Sequence, residues 1–147
     1  MGNLKIPSGR ESCINRLRDK RIALSGKQTS RLYLSNPTER WVEKIQVDGC
    51  AITQGLRCDW AVEVDDRVSR KEIFIELKGS HLTHAAKQLA ATIVKLSSDP
   101  AQTEKRCLIA YERCPLTGPE IKQLQEKFQK KYNATFEPVR NGSSHLL

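Results

Sequence analysis

The segment from Ala51 to Gly79 constrains the fold most. It holds two β-rich runs, Leu56 to Val64 and Glu72 to Lys78, separated by the polar residues 65–70. That pattern predicts an antiparallel hairpin. Alternate residues of a strand share a face. In the second run Ile73, Ile75 and Leu77 make one face, and Phe74, Glu76 and Lys78 the other. In the first run Cys58, Trp60, Val62 and Val64 oppose Asp59, Ala61 and Glu63. A loop at Asp66 to Ser69 pairs Asp65 with Arg70, and counting back sets Asp59 opposite Glu76. The same register sets Glu63 opposite Glu72, where solvent near the loop is expected to screen the pair. It also brings the two apolar sets onto one face, as burial demands.

The flanks read as further elements of a mixed α+β chain. Ser8 to about Ser25 is expected to form a helix with Ile14 and Leu17 inward, followed by short strands at 31–34 and 41–47. After the hairpin, Ser80 is the expected N-cap of a helix running to about Ser98, where Asp99-Pro100 stops it. Leu82, Ala86, Leu89, Ile93 and Leu96 give that helix one apolar stripe. Cys107 to Tyr111 is a continuous apolar run of interior-strand type. Thr117-Gly118-Pro119-Glu120 matches a capping box before a helix that turns Ile121, Leu124, Phe128 and Tyr132 inward. A short strand near Ala134 to Val139 and a polar tail complete the chain. The expected fold is α+β with an α/β/α-like layering, a central mixed sheet carrying flanking helices. The whole of 1–147 reads as one domain, with a core at about 41–111 and a basic N-terminal extension at 1–40.

Composition narrows the class. The chain is 38% hydrophobic and 29% charged, as an ordinary globular domain is, and it carries a formal charge of +8. Nine basic and three acidic residues fall in 1–40, eight and nine in 41–100, and eight and five in 101–147. A basic flank around an acid-rich centre suits attraction of a polyanion to a site built on carboxylates. No stretch is apolar enough to span a membrane, and the first residues lack a signal region, so a cytoplasmic protein is expected. The five cysteines are odd in number and contain no C-x-x-C pair, so reduced, buried thiols are expected.

Two carboxylates facing across a hairpin repel unless something positive stands between them. A divalent cation meets that need, and Mg2+ accepts one or two carboxylates while keeping several waters. Lys78, on the face of Glu76, is placed to hold an attacking water or to stabilise charge on a phosphate. Glu-x-Lys alone is an ordinary exposed ladder. Here it comes with the facing Asp59, the Gly79 turn and the following helix.

Arg57-Cys58-Asp59-Trp60-Ala61-Val62, Phe74-Ile75-Glu76-Leu77-Lys78-Gly79 and the helix with His84-Ala85-Ala86-Lys87-Gln88-Leu89 together resemble the PD-(D/E)xK nuclease superfamily, over about residues 41–111. The resemblance implies a restriction-endonuclease-like core and hydrolysis of phosphodiester bonds with Mg2+ or Mn2+. It assigns Asp59 and Glu76 as ligands together with the Leu77 carbonyl, Lys78 as water or transition-state partner, and Gln88 in support. The family's proline before the Asp is absent, and its first acidic position falls on either Glu11 or Asp48.

Arg16, Arg18, Lys20 and Arg21 are expected to contact nucleic acid, with DNA favoured over RNA, and His84 is a further candidate contact. Trp41 and Tyr33 suit either packing or base stacking. So short a chain leaves little surface for specificity, so a homodimer or a larger complex is expected. The expectation is a metal-dependent nuclease, endo- or exonuclease, in a defence, repair or recombination context. The alternative is an inactive module of the same fold that binds nucleic acid or a protein.

Overall fold

The computed structural model describes residues 3–64, 71–77, 81–113 and 117–147. A 3-10 turn at Glu11–Cys13 leads into β1 (Ile14–Leu17), β2 (Arg21–Ser25), β3 (Arg31–Ser35), β4 (Val42–Gln46), β5 (Trp60–Val64) and β6 (Lys71–Glu76). Then come α1 (Leu82–Leu96), β7 (Lys105–Tyr111), α2 (Gly118–Tyr132), β8 (Ala134–Arg140) and β9 (Ser144–Leu146). Six strands form a mixed sheet in the order β1-β4-β5-β6-β7-β8, and β2, β3 and β9 form a second, smaller sheet.

The hairpin sits at the centre of the large sheet in the expected register. Trp60 pairs with Ile75, Val62 with Ile73 and Glu63 with Glu72. Its loop at 65–70 lies outside the described residues, as do Lys78, Gly79 and Ser80. β6, β7 and β8 are parallel and adjacent, so the crossovers through α1 and α2 step across the sheet in one direction. Right-handed connections that step the same way deposit their helices on the same face. Accordingly Leu82, Leu89 and Ile93 of α1 and Phe128 and Tyr132 of α2 share one apolar core with Phe74, Cys107 and Phe136 of the sheet.

The other face is left to the small sheet. Ile22, Leu24, Leu32 and Leu34 are all buried there against Val62, Ile73, Ile75 and Leu77. The layering is therefore helices, sheet, sheet, which corrects the α/β/α-like expectation. The coarser reading, an α+β chain with a central mixed sheet, holds.

The expected helix at 8–25 is replaced by the 3-10 turn, β1 and β2. Arg21 to Ser25 alternates exposed and buried residues with period two, and β3 supplies the backbone partners. Arg16 and Leu17 pair with Glu43 and Val42, making β1 the edge of the large sheet. The polar tail contains β9, which pairs in parallel with β3. The thiol expectation also changes: Cys13 and Cys50 form a disulfide, while Cys58 and Cys107 are buried and free. Cys58 lies before β5 and joins the helix-side core rather than the face of Val62.

Other expected elements stand. The stripe on α1 is buried from Leu82 to Leu96, although the α1 N-cap is His81, with no side-chain cap. α2 begins with the full capping box: Thr117 accepts from the Glu120 amide at 3.4 Å, and the Glu120 carboxylate accepts from the Thr117 amide. Among the described residues no helix is long and apolar enough to cross a membrane.

Candidate active site

The end of β4, the start of β5 and the end of β6 meet at one edge of the sheet, where a cavity of about 280 Å3 opens. Asp48, Asp59 and Glu76 line it, together with Leu77 and Trp60. The register that buries the hairpin's apolar face thus delivers two of the expected residues to one space, and the strand end after β4 delivers a third carboxylate.

Asp59 is tied firmly. Its Oδ2 accepts from the Leu77 amide at 2.7 Å, and its own amide donates to the Ile75 carbonyl at 3.1 Å. Its carbonyl accepts from the amides of Val47 and Asp48 at 3.0 and 3.3 Å, which holds the Asp48 backbone beside it.

Glu76 is only 7% exposed, and its Oε1 is buried with no hydrogen-bond partner among the described residues. Burial first, then the neighbouring Asp59 carboxyl and the charge of Asp48, push its pKa up to about 10, against a smaller opposing pull from Gln88. At neutral pH the metal-free Glu76 therefore holds a proton. A cation entering between Asp59 and Glu76 would take that proton's place. Carboxylate oxygens of this kind, with one atom left unpartnered, fit a hard divalent cation.

α1 supports the site from the helix side. Gln88 donates from Nε2 to the Arg57 carbonyl at 3.1 Å, and Thr92 accepts from the Cys58 amide at 2.8 Å. These contacts fix the residues that lead into Asp59. Asp48 pairs with Arg57, its Oδ1 lying 2.7 Å from Nε. The loop that follows Asp48 is fastened by the Cys13–Cys50 disulfide.

Of the two candidates for the first acidic position, Asp48 lines the cavity. Glu11 does not: it is exposed in the 3-10 turn and accepts from the Gly9 amide. His84 is exposed on α1 and does not line the cavity. Lys78 lies outside the described residues. Arg16 and Arg18 stack near Trp41, with guanidinium carbons 4.6 and 5.2 Å from the ring centroid. Arg21 lies 3.7 Å above Tyr33, and Lys20 is exposed. These basic residues stand on strands β1 and β2 and the link between them rather than on a helix.

Sequence reasoning missed one wall of the cavity. Ser25, Gly26, Lys27 and Ser30, from the β2–β3 turn, line it as well. The signal was present: Ile22 and Leu24 and then Leu32 and Leu34 alternate on either side of a polar, glycine-containing turn, which is a hairpin pattern.

Among the described residues no group of three or more His, Cys, Asp or Glu side chains is gathered closely enough to hold a metal ion. A cation here would rest on Asp59 and Glu76, with main-chain oxygen and water completing its shell. No protein-family model, curated protein or solved structure matches the chain.

Proposed function

We propose that the chain is a metal-dependent nuclease with a restriction-endonuclease-like core, hydrolysing phosphodiester bonds with DNA as the favoured substrate. The observation that carries this reading is the buried Glu76 carboxyl, with one oxygen unpartnered among the described residues, lining a cavity together with Asp59. Asp59 and Glu76 hold Mg2+ or Mn2+, and the Leu77 carbonyl is the main-chain ligand. The bound cation supplies Lewis acidity to a phosphate oxygen and lowers the pKa of a water.

The chain's own groups do the rest. The Leu77 amide fixes one oxygen of Asp59 and leaves the other for the cation. Gln88 holds the Arg57 carbonyl and so orients the approach to Asp59. Lys78, two residues after Glu76, is assigned to the attacking water or to charge developing on the phosphate. Arg16, Arg18, Lys20 and Arg21 draw in the polyanion.

Incubation with plasmid, single-stranded and branched DNA and with RNA, in Mg2+ or Mn2+, tests the reading. Cleavage by the wild type is expected to vanish in Glu76→Ala and in Lys78→Ala while both variants melt cooperatively. Persistent cleavage in both variants overturns it. The Asp48–Arg57 ion pair favours a second reading, because it occupies the third carboxylate of the cavity. In that reading the chain binds nucleic acid without cutting it, and no heat of Mn2+ binding accompanies a salt-dependent association with DNA.

A further inference from the structure

The cavity has two chemically different sides. The large sheet and the strand end after β4 contribute Asp48, Asp59 and Glu76 to its lining, whereas the β2–β3 turn contributes Ser25, Lys27 and Ser30. Residues able to accept for a cation and residues able to donate to an anion thus line one space of about 280 Å3.

The turn is built onto this place rather than left to hang over it. Trp60, inside the central hairpin, donates from Nε1 to the Ser25 carbonyl at 2.9 Å. Gly26 runs so close to β6 that a Cβ there would stand 3.1 Å from Leu77 Cδ1, so the backbone itself packs on the residue after Glu76. The turn closes through Gly26 N to the Ser30 carbonyl at 2.9 Å, and Asn141 ties it from behind by donating to the Thr29 carbonyl at 3.2 Å. Lys27 is exposed and, among the described residues, forms no ion pair, although three carboxylates line the same cavity. Its ammonium is available to an incoming anion.

We infer that the β2–β3 turn is the phosphate-holding wall of the cleft, with Lys27 as its cationic contact and the Ser25 and Ser30 hydroxyls as neutral donors. The ligand it takes is a phosphodiester, whose non-bridging oxygens face these donors while the scissile side faces Asp59 and Glu76. This inference rests on the nuclease reading for its substrate, but the contact is separable from catalysis because it belongs to binding. A single lysine–phosphate contact removes about one unit from the slope of log affinity against log salt and changes affinity modestly.

The test measures binding of a short fluorescent oligodeoxynucleotide without metal across a salt series, and then cleavage kinetics with Mn2+. The proteins compared are the wild type, Lys27→Gln, Lys27→Arg and Glu76→Ala. Lys27→Gln is expected to bind roughly 3- to 10-fold more weakly with a shallower salt slope. It raises KM while leaving kcat nearly unchanged, and Lys27→Arg restores both. Equal affinity and slope in the wild type and Lys27→Gln overturn the inference and leave the nuclease reading standing. A Lys27-dependent salt slope in a protein that does not cut, or that cuts equally well as Glu76→Ala, upholds the phosphate wall and removes the catalytic reading. A wild type that does not bind the oligonucleotide overturns the inference as well.

Discussion

The central hairpin carries two acidic pairs, one fully buried and one pairing the buried Glu76 with the half-buried Asp59, and the protein treats them oppositely. At one end Glu63 faces Glu72, each 1% exposed. Glu63 accepts from the amides of Asn3 and Leu4, both at 3.0 Å. Glu72 accepts from the Ser97 hydroxyl at 2.6 Å and from the Ser98 amide and hydroxyl at 3.0 and 2.7 Å. On the neighbouring strand Glu72 pairs with Lys105, whose ammonium is held by the carbonyls of Asp99, Thr103 and Tyr132. Donors from the N-terminal segment and from the end of α1 thus neutralise the first pair, rather than the solvent expected from the sequence. At the other end Asp59 has the Leu77 amide, while Glu76 keeps one buried oxygen without a donor among the described residues and carries a strongly raised pKa. Facing carboxylates are therefore not in themselves a site. In the proposed reading, a deficit of donors at one pair among the described residues, beside a cavity, distinguishes a binding centre from a structural one.

The comparison breaks most visibly in catalysis. Asp59→Ala and Glu76→Ala are expected to lower Mn2+-dependent cleavage by about a thousandfold or more, as loss of a metal ligand does. Glu72→Gln should leave the rate nearly unchanged, and a gel assay on one substrate compares all three. Equal losses at both ends would mean that the two pairs do the same work.

The site end also has a covalent fastening. Replacing Cys13 and Cys50 by serine opens a closed loop of 37 residues. It should cost about 3 to 4 kcal/mol in denaturant unfolding. The double variant should also cut less well, because Cys50 belongs to the turn that carries Asp48. Glu72→Ala strands the buried Ser97 hydroxyl and two half-buried Ser98 donors and should cost about 2 to 3 kcal/mol, with a smaller loss for Glu63→Ala.

A further contrast lies in the dependence on pH. In the metal-free protein the folded-state pKa of Glu76 is raised to about 10, whereas the unfolded chain releases that proton near the ordinary carboxylate value. The unfolded state therefore binds fewer protons between these values, so Glu76 lowers stability as pH rises from about 5 toward 10. Thermal melts of Glu76→Gln should lose this decline: the variant is more stable than the wild type at pH 8 and nearly equal near pH 4. A wild type that gains stability relative to Glu76→Gln as pH rises would reverse the sign.

Much of this was legible in the sequence because it depends on period-two alternation and on one register. Asp59, Glu76 and the burial of Ile73 and Ile75 all follow from counting across the hairpin, and the α1 stripe from helical spacing. Residues 8–25 were not legible as strands. Arg16, Arg18, Lys20 and Arg21 hide the alternation, and β1 and β2 take their hydrogen bonds from β4 and β3, which local periodicity does not reveal. The disulfide was hidden for a similar reason, since Cys13 and Cys50 meet only when β1 pairs with β4. The donors that satisfy Glu63 and Glu72 come from Asn3, Leu4, Ser97 and Ser98, far from them in sequence, so the contrast between the two acidic ends belongs to tertiary structure alone.

That contrast is tested most directly by calorimetric titration of Mn2+ into the wild type, Glu76→Gln and Glu72→Gln at neutral pH. The account predicts saturable binding in the wild type and in Glu72→Gln, and none in Glu76→Gln. Binding that survives in Glu76→Gln, or a wild type that takes up no Mn2+, would contradict the claim that the Glu76 carboxyl at this end of the hairpin is a cation ligand.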